Sequence, residues 1–107
     1  MAWIYLVIAG IFEIGWPLGF KLSQVYTNLR IWGIVISVIC MAFSGLFLWL
    51  AQKTIPIGTA YAVWTSLGAT GTFLIGIWLF GDAASLLRYF GVFLILTGVV
   101  ILKLAAH

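Results

Sequence analysis

A single carboxyl group, that of Glu13, lies near the middle of a stretch otherwise apolar enough to cross a lipid bilayer. An ionisable side chain at that depth is costly, so it normally faces a bundle interior or a watery cavity and marks an ion, proton or substrate path. Burial disfavours its charged form. Such a group can hold a proton and release it when a cation arrives, which is the minimum chemistry of proton/cation antiport. A protonated glutamate that only bonds a neighbouring helix is the structural alternative.

Helical spacing places Gly10, Trp16 and Pro17 within one turn of Glu13. Gly10 is expected to leave space beside the carboxylate. Trp16 offers either a π face and an indole N–H or simple aromatic packing. Pro17 has no N–H and deprives the Glu13 carbonyl of its usual helical bond. We therefore expect Pro17 to bend the first helix at the site and to leave an acceptor facing the cavity.

Two further segments carry polar and aromatic side chains at helical spacing. Tyr61 and Trp64 fall several residues inside the third apolar run and predict hydrogen bonds or aromatic walls for a cavity. Ser44, in the second run, would polarise one side of the cavity, or would bond back to its own helix. In the third run Gly68 and Gly71 predict a bend that differs between two conformations, whereas a close-packed interface predicts the same residues.

The last apolar run carries a candidate dimer seam. Gly91 and Gly98 are seven residues apart and share a helical face with Leu94 and Ile95. Small residues allow helices to approach closely in lipid, which favours a helix–helix contact between subunits. Packing within one chain is the equal alternative.

These residues must be positioned by membrane helices. The chain has 107 residues, of which 65% are hydrophobic and 7% charged, a composition typical of membrane proteins. Four apolar runs are each near the length that one helix needs to span the hydrocarbon. We predict an all-α membrane protein, one domain over residues 1–107, with four transmembrane helices near 2–21, 31–52, 57–80 and 86–104. The first run has no basic leader and contains an acid and a proline, so we interpret it as a helix rather than a signal peptide.

The basic residues give almost no orientation bias. Alternate connections place Lys21, Arg30 and Arg88 on one side of the membrane, and Lys53, Lys103 and the amino terminus on the other. Membrane proteins with one orientation show a clear excess of Lys and Arg on the cytoplasmic side. The balance predicts dual topology, and four helices enclose too little volume for a solute path. An antiparallel homodimer with a two-fold axis in the membrane plane satisfies both observations.

The remaining chemistry-bearing residues are few. Asp82 lies in a polar turn and is expected at the interface or at a helix N-terminus. Cys40 is interpreted as a packing residue, and His107 as a solvated chain end. We find no phosphate-binding loop, Cys/His cluster or Ser–His–acid set, and therefore expect no metal, cofactor, nucleic-acid partner or enzyme activity. A non-transporting membrane subunit, with Glu13 docking a basic partner helix, is the alternative from another class.

The sequence resembles the small multidrug resistance transporters over essentially its whole length. The resemblance is carried by "IAGIFEIGW" in the first run, "IPIGTAYAVWT" at the start of the third and "GVFLILTGVVILK" in the fourth. Glu13 and Trp16 form an ExxW pattern similar to the guanidinium-exporter branch. The resemblance implies a bacterial inner-membrane protein, a dual-topology homodimer that exchanges guanidinium for protons. By position it implies that Glu13 is the central carboxylate, with these residues around it: Gly10, Trp16, Ser44, Tyr61 and Trp64.

Three features depart from that branch. Pro17 follows the tryptophan where a small aliphatic residue is common, "WTSLGATG" replaces the usual "WTGIGA", and Asp82 stands where glutamate is common. The first two changes lie close to the predicted site. Guanidinium, a substituted guanidinium such as guanylurea, and quaternary ammonium or other hydrophobic cations therefore all remain candidate substrates.

Overall fold

A computed structural model describes residues 1–105 of the chain, so His107 lies outside the described residues. Those residues form four long α-helices, which are α1 Ala2–Val25, α2 Arg30–Ala51, α3 Ile57–Phe80 and α4 Leu86–Ala105, with one 3₁₀ turn at Thr27–Leu29. All four are long and apolar enough to cross a membrane. The prediction of an all-helical protein with four membrane-spanning helices is confirmed.

The helix ends follow local chemistry. α1 continues to Val25, beyond the expected end at residue 21, because Leu22–Val25 contains no glycine or proline. Lys21 need not end a membrane helix, since its long stem allows the ammonium group to reach the interface. α3 begins after Pro56 and ends at Phe80, and the next residue, Gly81, has a left-handed φ of 67°.

The four helices form a thin molecule of 47 × 34 × 16 Å. α1 packs against both α2 and α3 and is the central helix. α4 packs against α3, and none of its residues is buried. The site-bearing helix is therefore held on two sides, whereas α4 leaves most of its surface uncovered within one chain.

Glycines bring α1 and α2 into backbone contact. A Cβ added at Gly19 would lie 2.7 Å from the Gly33 carbonyl oxygen, and one at Gly33 would lie 2.6 Å from the Gly19 carbonyl oxygen. Gly15 likewise accepts Cys40, whose Sγ would be 2.6 Å from an added Cβ. Close approach of this kind is how helices associate in lipid, where no hydrophobic driving force acts between them.

The α1–α3 contact also depends on glycines. A Cβ on Gly71 would lie 2.6 Å from Ile14 Cγ1, and one on Gly68 would lie 3.0 Å from Glu13 Cβ. In this conformation both glycines are therefore close-packed interface positions. That α3 bends at them during a conformational change stays a prediction.

The candidate seam on α4 is open within one chain. No atom of residues 1–105 lies within 4 Å of a Cβ added at Gly91 or Gly98, and Leu94 and Ile95 are 54% and 40% exposed. The structure therefore excludes the alternative that these glycines serve close packing inside the subunit. A contact with a second subunit at this face stays a prediction.

Candidate functional site

Glu13 is half-buried in the middle of α1, with its side chain against Gly68 of α3. The indole Nε1 of Trp16 donates a hydrogen bond to Glu13 Oε1 at 2.6 Å. One helical turn separates the two residues, so their spacing on α1 brings them together. Trp16 therefore uses its N–H group towards the carboxylate, and its ring meets Phe20 edge-on at 5.8 Å between centroids.

Ser44 of α2 forms hydrogen bonds with both α1 and α3 beside this carboxylate. Its hydroxyl, buried between the helices, lies 2.8 Å from the Ala9 carbonyl oxygen and 3.3 Å from Glu13 Oε1. The Trp64 indole N–H donates to the same hydroxyl oxygen at 2.8 Å. The alternative in which Ser44 bonds to its own helix is thus not what the structure shows. A hydroxyl has one proton, so the Ala9 carbonyl and the Glu13 carboxylate compete for it.

The two Glu13 oxygens differ in their surroundings. Both hydrogen bonds from the protein reach Oε1, and Oε2 accepts none from any residue in 1–105. A carboxylate has acceptor sites on both oxygens. The second oxygen therefore remains available to a proton or to a hydrogen-bond donor from outside the protein.

A cavity of about 370 Å³ adjoins Glu13 between α1 and α3. Two aromatic rings, two hydroxyl groups and both acidic residues of the chain contribute to its wall. Its lining residues are Glu13, Trp16, Pro17, Thr65, Gly68, Ala69, Thr72, Phe73 and Asp82. The arrangement combines negative charge, aromatic surface and polar groups, which is what a weakly hydrated organic cation requires.

Comparison with known proteins identifies the family of this chain. The profile of the Small Multidrug Resistance protein family matches residues 1–95. The chain belongs to the small multidrug resistance family. It is 48% identical over 106 residues to the guanidinium exporter of Yersinia pseudotuberculosis, covering 99% of this chain and 100% of that one. It is 42% identical over 107 residues to the guanidinium exporters of Salmonella typhimurium and Citrobacter freundii, with full coverage of each pair.

Four apolar helices and this family assign the chain to the bacterial inner membrane as a multi-pass protein. The predicted location and family are confirmed. For the individual residues of this small multidrug resistance protein the structure gives positions, and their predicted roles stay predictions.

Four of the predicted binding residues lie outside the cavity wall, namely Gly10, Ser44, Tyr61 and Trp64. Ser44 and Trp64 belong to the hydrogen-bond network beside it. Gly10 packs against Leu67, whose Cβ would be 2.7 Å from an added Cβ, so its small size serves the α1–α3 contact. Tyr61 is 55% exposed and its ring packs on that of Trp64, 5.3 Å between centroids. Pro17 does line the cavity, and α1 remains helical through it.

Two contributors escaped the sequence analysis. The buried Ser37 hydroxyl donates to the Trp16 carbonyl oxygen at 2.7 Å, fixing α2 to the turn of α1 that carries the site. Ser37 lies seven residues before Ser44, so the two serines share a helical face, but this spacing does not indicate which residue Ser37 contacts. Asp82 was expected in a turn at the membrane surface, and the structure brings it to the Glu13 cavity. The glycine before it, Gly81, was the available signal for a chain reversal.

Proposed function

We propose that this protein exports guanidinium, or a substituted guanidinium such as guanylurea, in exchange for protons. The observation that carries the proposal is the state of the Glu13 carboxylate. One oxygen is held by Trp16 and Ser44, and the other accepts no bond from residues 1–105 beside a partly aromatic cavity. The relatives named as guanidinium exporters support the same substrate class.

The chemistry of guanidinium suits this site. The ion is planar and weakly hydrated, presents parallel N–H donors to a carboxylate, and stacks on aromatic faces. Glu13 supplies the acceptor, and Trp16 and Phe73 supply aromatic surface on the same cavity. A desolvated carboxylate needs a counter-charge, so either a proton or the cation satisfies it. One site that holds these two alternately, facing each side of the membrane in turn, gives antiport.

The Ser44 hydroxyl is suited to follow this exchange. While Glu13 is ionised, the Ser44 proton has a charged acceptor 3.3 Å away, and charge-assisted hydrogen bonds are the stronger ones. When a proton or cation neutralises Glu13, the Ala9 carbonyl at 2.8 Å becomes the better acceptor. The direction of one hydroxyl bond would thus report the occupancy of the site.

The proposal includes an antiparallel homodimer embedded in lipid. The balanced basic residues, the uncovered face of α4 and the small size of one chain support it. In such a dimer the two Glu13 side chains, each in the middle of its α1, would lie near the centre of the assembly. Two oppositely inserted copies would supply the inverted symmetry that larger transporters build into one chain.

The test is guanidinium flux into proteoliposomes containing the purified protein. An outward proton gradient should drive guanidinium uptake, and Glu13→Gln should abolish it because the neutral amide can no longer exchange a proton for a cation. Glu13→Asp, which keeps the charge on a shorter side chain, should retain slower coupled flux. Transport that survives Glu13→Gln in correctly folded protein would overturn the mechanism.

The aromatic surface of the cavity favours a second candidate, export of quaternary ammonium or other hydrophobic cations. These ions bind aromatic faces without hydrogen bonds. Competition between guanidinium and tetraethylammonium for the same uptake separates the two, since a drug exporter would be blocked at lower tetraethylammonium concentration. A non-transporting subunit would show no flux of either ion from the purified protein.

A further inference from the structure

The second acidic side chain, Asp82, is held in a defined position by the end of α3. Gly81 adopts a left-handed conformation, and the Asp82 N–H donates to the Gly76 carbonyl oxygen at 3.0 Å. This bond accompanies the left-handed turn at Gly81 and reverses the chain at the helix end. Asp82 is thereby turned back along α3 rather than carried outwards towards α4.

Gly76 provides the space in which the Asp82 side chain lies. A Cβ added at Gly76 would overlap Asp82 Oδ2 and would lie 3.3 Å from Asp82 Cγ. The carboxylate is therefore laid against the backbone of α3, where any side chain larger than hydrogen would displace it. Gly76 and Gly81 together fix the place of this negative charge.

That place connects the membrane surface with the central site. Asp82 lines the same 370 Å³ cavity as Glu13, and it also lines an adjacent cavity of about 260 Å³ with Lys21. The two carboxylates pack against Gly76 and Gly68, eight residues apart on α3, which corresponds to about 12 Å along the helix. The two side chains therefore lie against different turns of α3. Each carboxylate therefore defines its own position along one groove.

We propose that Asp82 is a second cation-binding carboxylate at the outer end of this groove, which receives the substrate before Glu13. The inference rests on the proposed export of guanidinium-type cations. A fixed negative charge in a groove raises the local concentration of cations and their rate of capture. In an antiparallel dimer each membrane surface would carry one copy of this entry position, so it would serve both directions of exchange.

Lys21, a nearby basic side chain, suggests a different role for Asp82, that of holding two helices together. Lys21 lines the outer cavity with Asp82, and the Arg88 guanidinium lies over the ring of Phe73 at 5.8 Å. If Asp82 served only to hold α1 to α3 through Lys21, removing either charge would harm the protein in the same way. If Asp82 attracts the substrate, Lys21 opposes it. The two substitutions then change the apparent affinity in opposite directions.

The experiment measures initial guanidinium uptake into vesicles of phosphatidylcholine, whose zwitterionic surface adds no net charge of its own. In buffer of about 0.01 M ionic strength, where charges act over roughly 30 Å, Asp82→Asn should raise KM about three- to tenfold. The maximal rate should change less than about twofold, because Glu13 remains intact. At about 0.15 M salt the difference should shrink, since the screening length falls to roughly 8 Å.

Three further variants separate charge from structure. Lys21→Gln should lower KM. Gly76→Ala should raise KM as Asp82→Asn does, because its Cβ displaces the carboxylate while the charge stays in the protein. Gly58→Ala is the matched control in the same helix, since none of the described residues lies within 4 Å of its added Cβ, and it should leave KM unchanged.

The outcomes distinguish this inference from the function on which it rests. Wild-type flux no greater than that of Glu13→Gln would overturn the proposed function and the entry position with it. Normal wild-type flux with an unchanged KM in Asp82→Asn would overturn only the entry position. A loss of maximal rate common to Asp82→Asn and Lys21→Gln, with KM unchanged, would assign the pair to helix packing instead. If Gly76→Ala does not fold, the opposite KM shifts expected for Asp82→Asn and Lys21→Gln still test whether Asp82 attracts the substrate.

Discussion

The Ser37 hydroxyl of α2 and the Trp16 carbonyl oxygen of α1 are 2.7 Å apart, although 21 residues separate them in the sequence. Ser37 is completely buried, and its hydroxyl occupies the space that a Cβ on Gly19 would take. Trp16 also donates its indole N–H to Glu13. The position of the carboxylate's partner is therefore fixed from α2 as well as from α1.

Replacing Ser37 with alanine should destabilise the protein and loosen the site. Loss of one buried hydrogen bond is expected to lower the free energy of unfolding by about 0.5–2 kcal/mol, with values in membranes at the lower end. Unfolding in mixed micelles of increasing dodecyl sulfate, followed by tryptophan fluorescence, measures this change. Ser66→Ala is the control, because that hydroxyl bonds only the Ala62 carbonyl of its own helix. Equal losses in both variants would contradict the proposed bracing of α1.

Ser44 and Trp64 should act as one unit in cation binding. Ser44→Ala removes both the donor to Glu13 and the acceptor of the Trp64 N–H, whereas Trp64→Phe removes only the latter bond. Residues in one hydrogen-bond network give non-additive effects, typically by about 0.5–3 kcal/mol. We expect each single variant to weaken guanidinium binding, and the double variant to be little worse than Ser44→Ala. Currents on solid-supported membranes over a guanidinium titration give the affinities, and strict additivity would show that the two residues act independently.

Local sequence patterns predicted the four helices and the position of Glu13 in the middle of α1, but not every residue around it. Glu13 and Trp16 are one turn apart on the same helix, so spacing alone brings them together, as observed. Ser44 bonds Glu13 from α2, and Trp64 of α3 bonds Ser44. Their predicted contribution to one polar site rested on depth and residue type.

Contacts between helices could not be predicted from these local patterns. A glycine in a membrane helix indicates close approach without naming the partner, so Gly10 was assigned to the site although it faces Leu67. Asp82 was missed for a similar reason. Its cavity depends on a left-handed turn at Gly81 and on the packing of α1 against α3, which no periodicity encodes.

Gly68→Ala should abolish transport with the carboxylate still present. The added Cβ would overlap Glu13 Cγ and lie 3.0 Å from Glu13 Cβ, so the side chain or the whole of α1 must move. Small displacements of a binding group are enough to lose most of its function. Proteoliposome flux measures the effect, with Gly58→Ala in the same helix as the control. Normal flux in Gly68→Ala would show that Glu13 can be displaced without consequence.

Gly98→Leu should separate the subunits of the proposed dimer without unfolding the chain. A Cβ at Gly98 meets no atom of the described part of its own chain, residues 1–105, whereas a leucine there would obstruct a second helix packed on α4. Gly45→Leu is the matched control on α2, where an added Cβ is also unopposed. Dilution-dependent single-molecule photobleaching in liposomes should show more monomer for Gly98→Leu only. Equal dimer content in both variants would place the subunit contact elsewhere.

We expect Pro17 to change the substrate preference of this site relative to a site on a helix without proline. It lines the Glu13 cavity and supplies no N–H to the Glu13 carbonyl, which leaves that carbonyl oxygen as an acceptor beside the carboxylate. Pro17→Ala restores the N–H, so we expect a straighter α1, a satisfied carbonyl and a lower preference for guanylurea relative to guanidinium, because guanylurea carries the additional N–H donors. The ratio of the two currents on solid-supported membranes measures this preference. Pro56→Ala, at the start of α3 and away from Glu13, controls for the general effect of removing a proline. An unchanged ratio in Pro17→Ala would reduce this proline to a packing residue and assign substrate preference to the carboxylate and its aromatic neighbours alone.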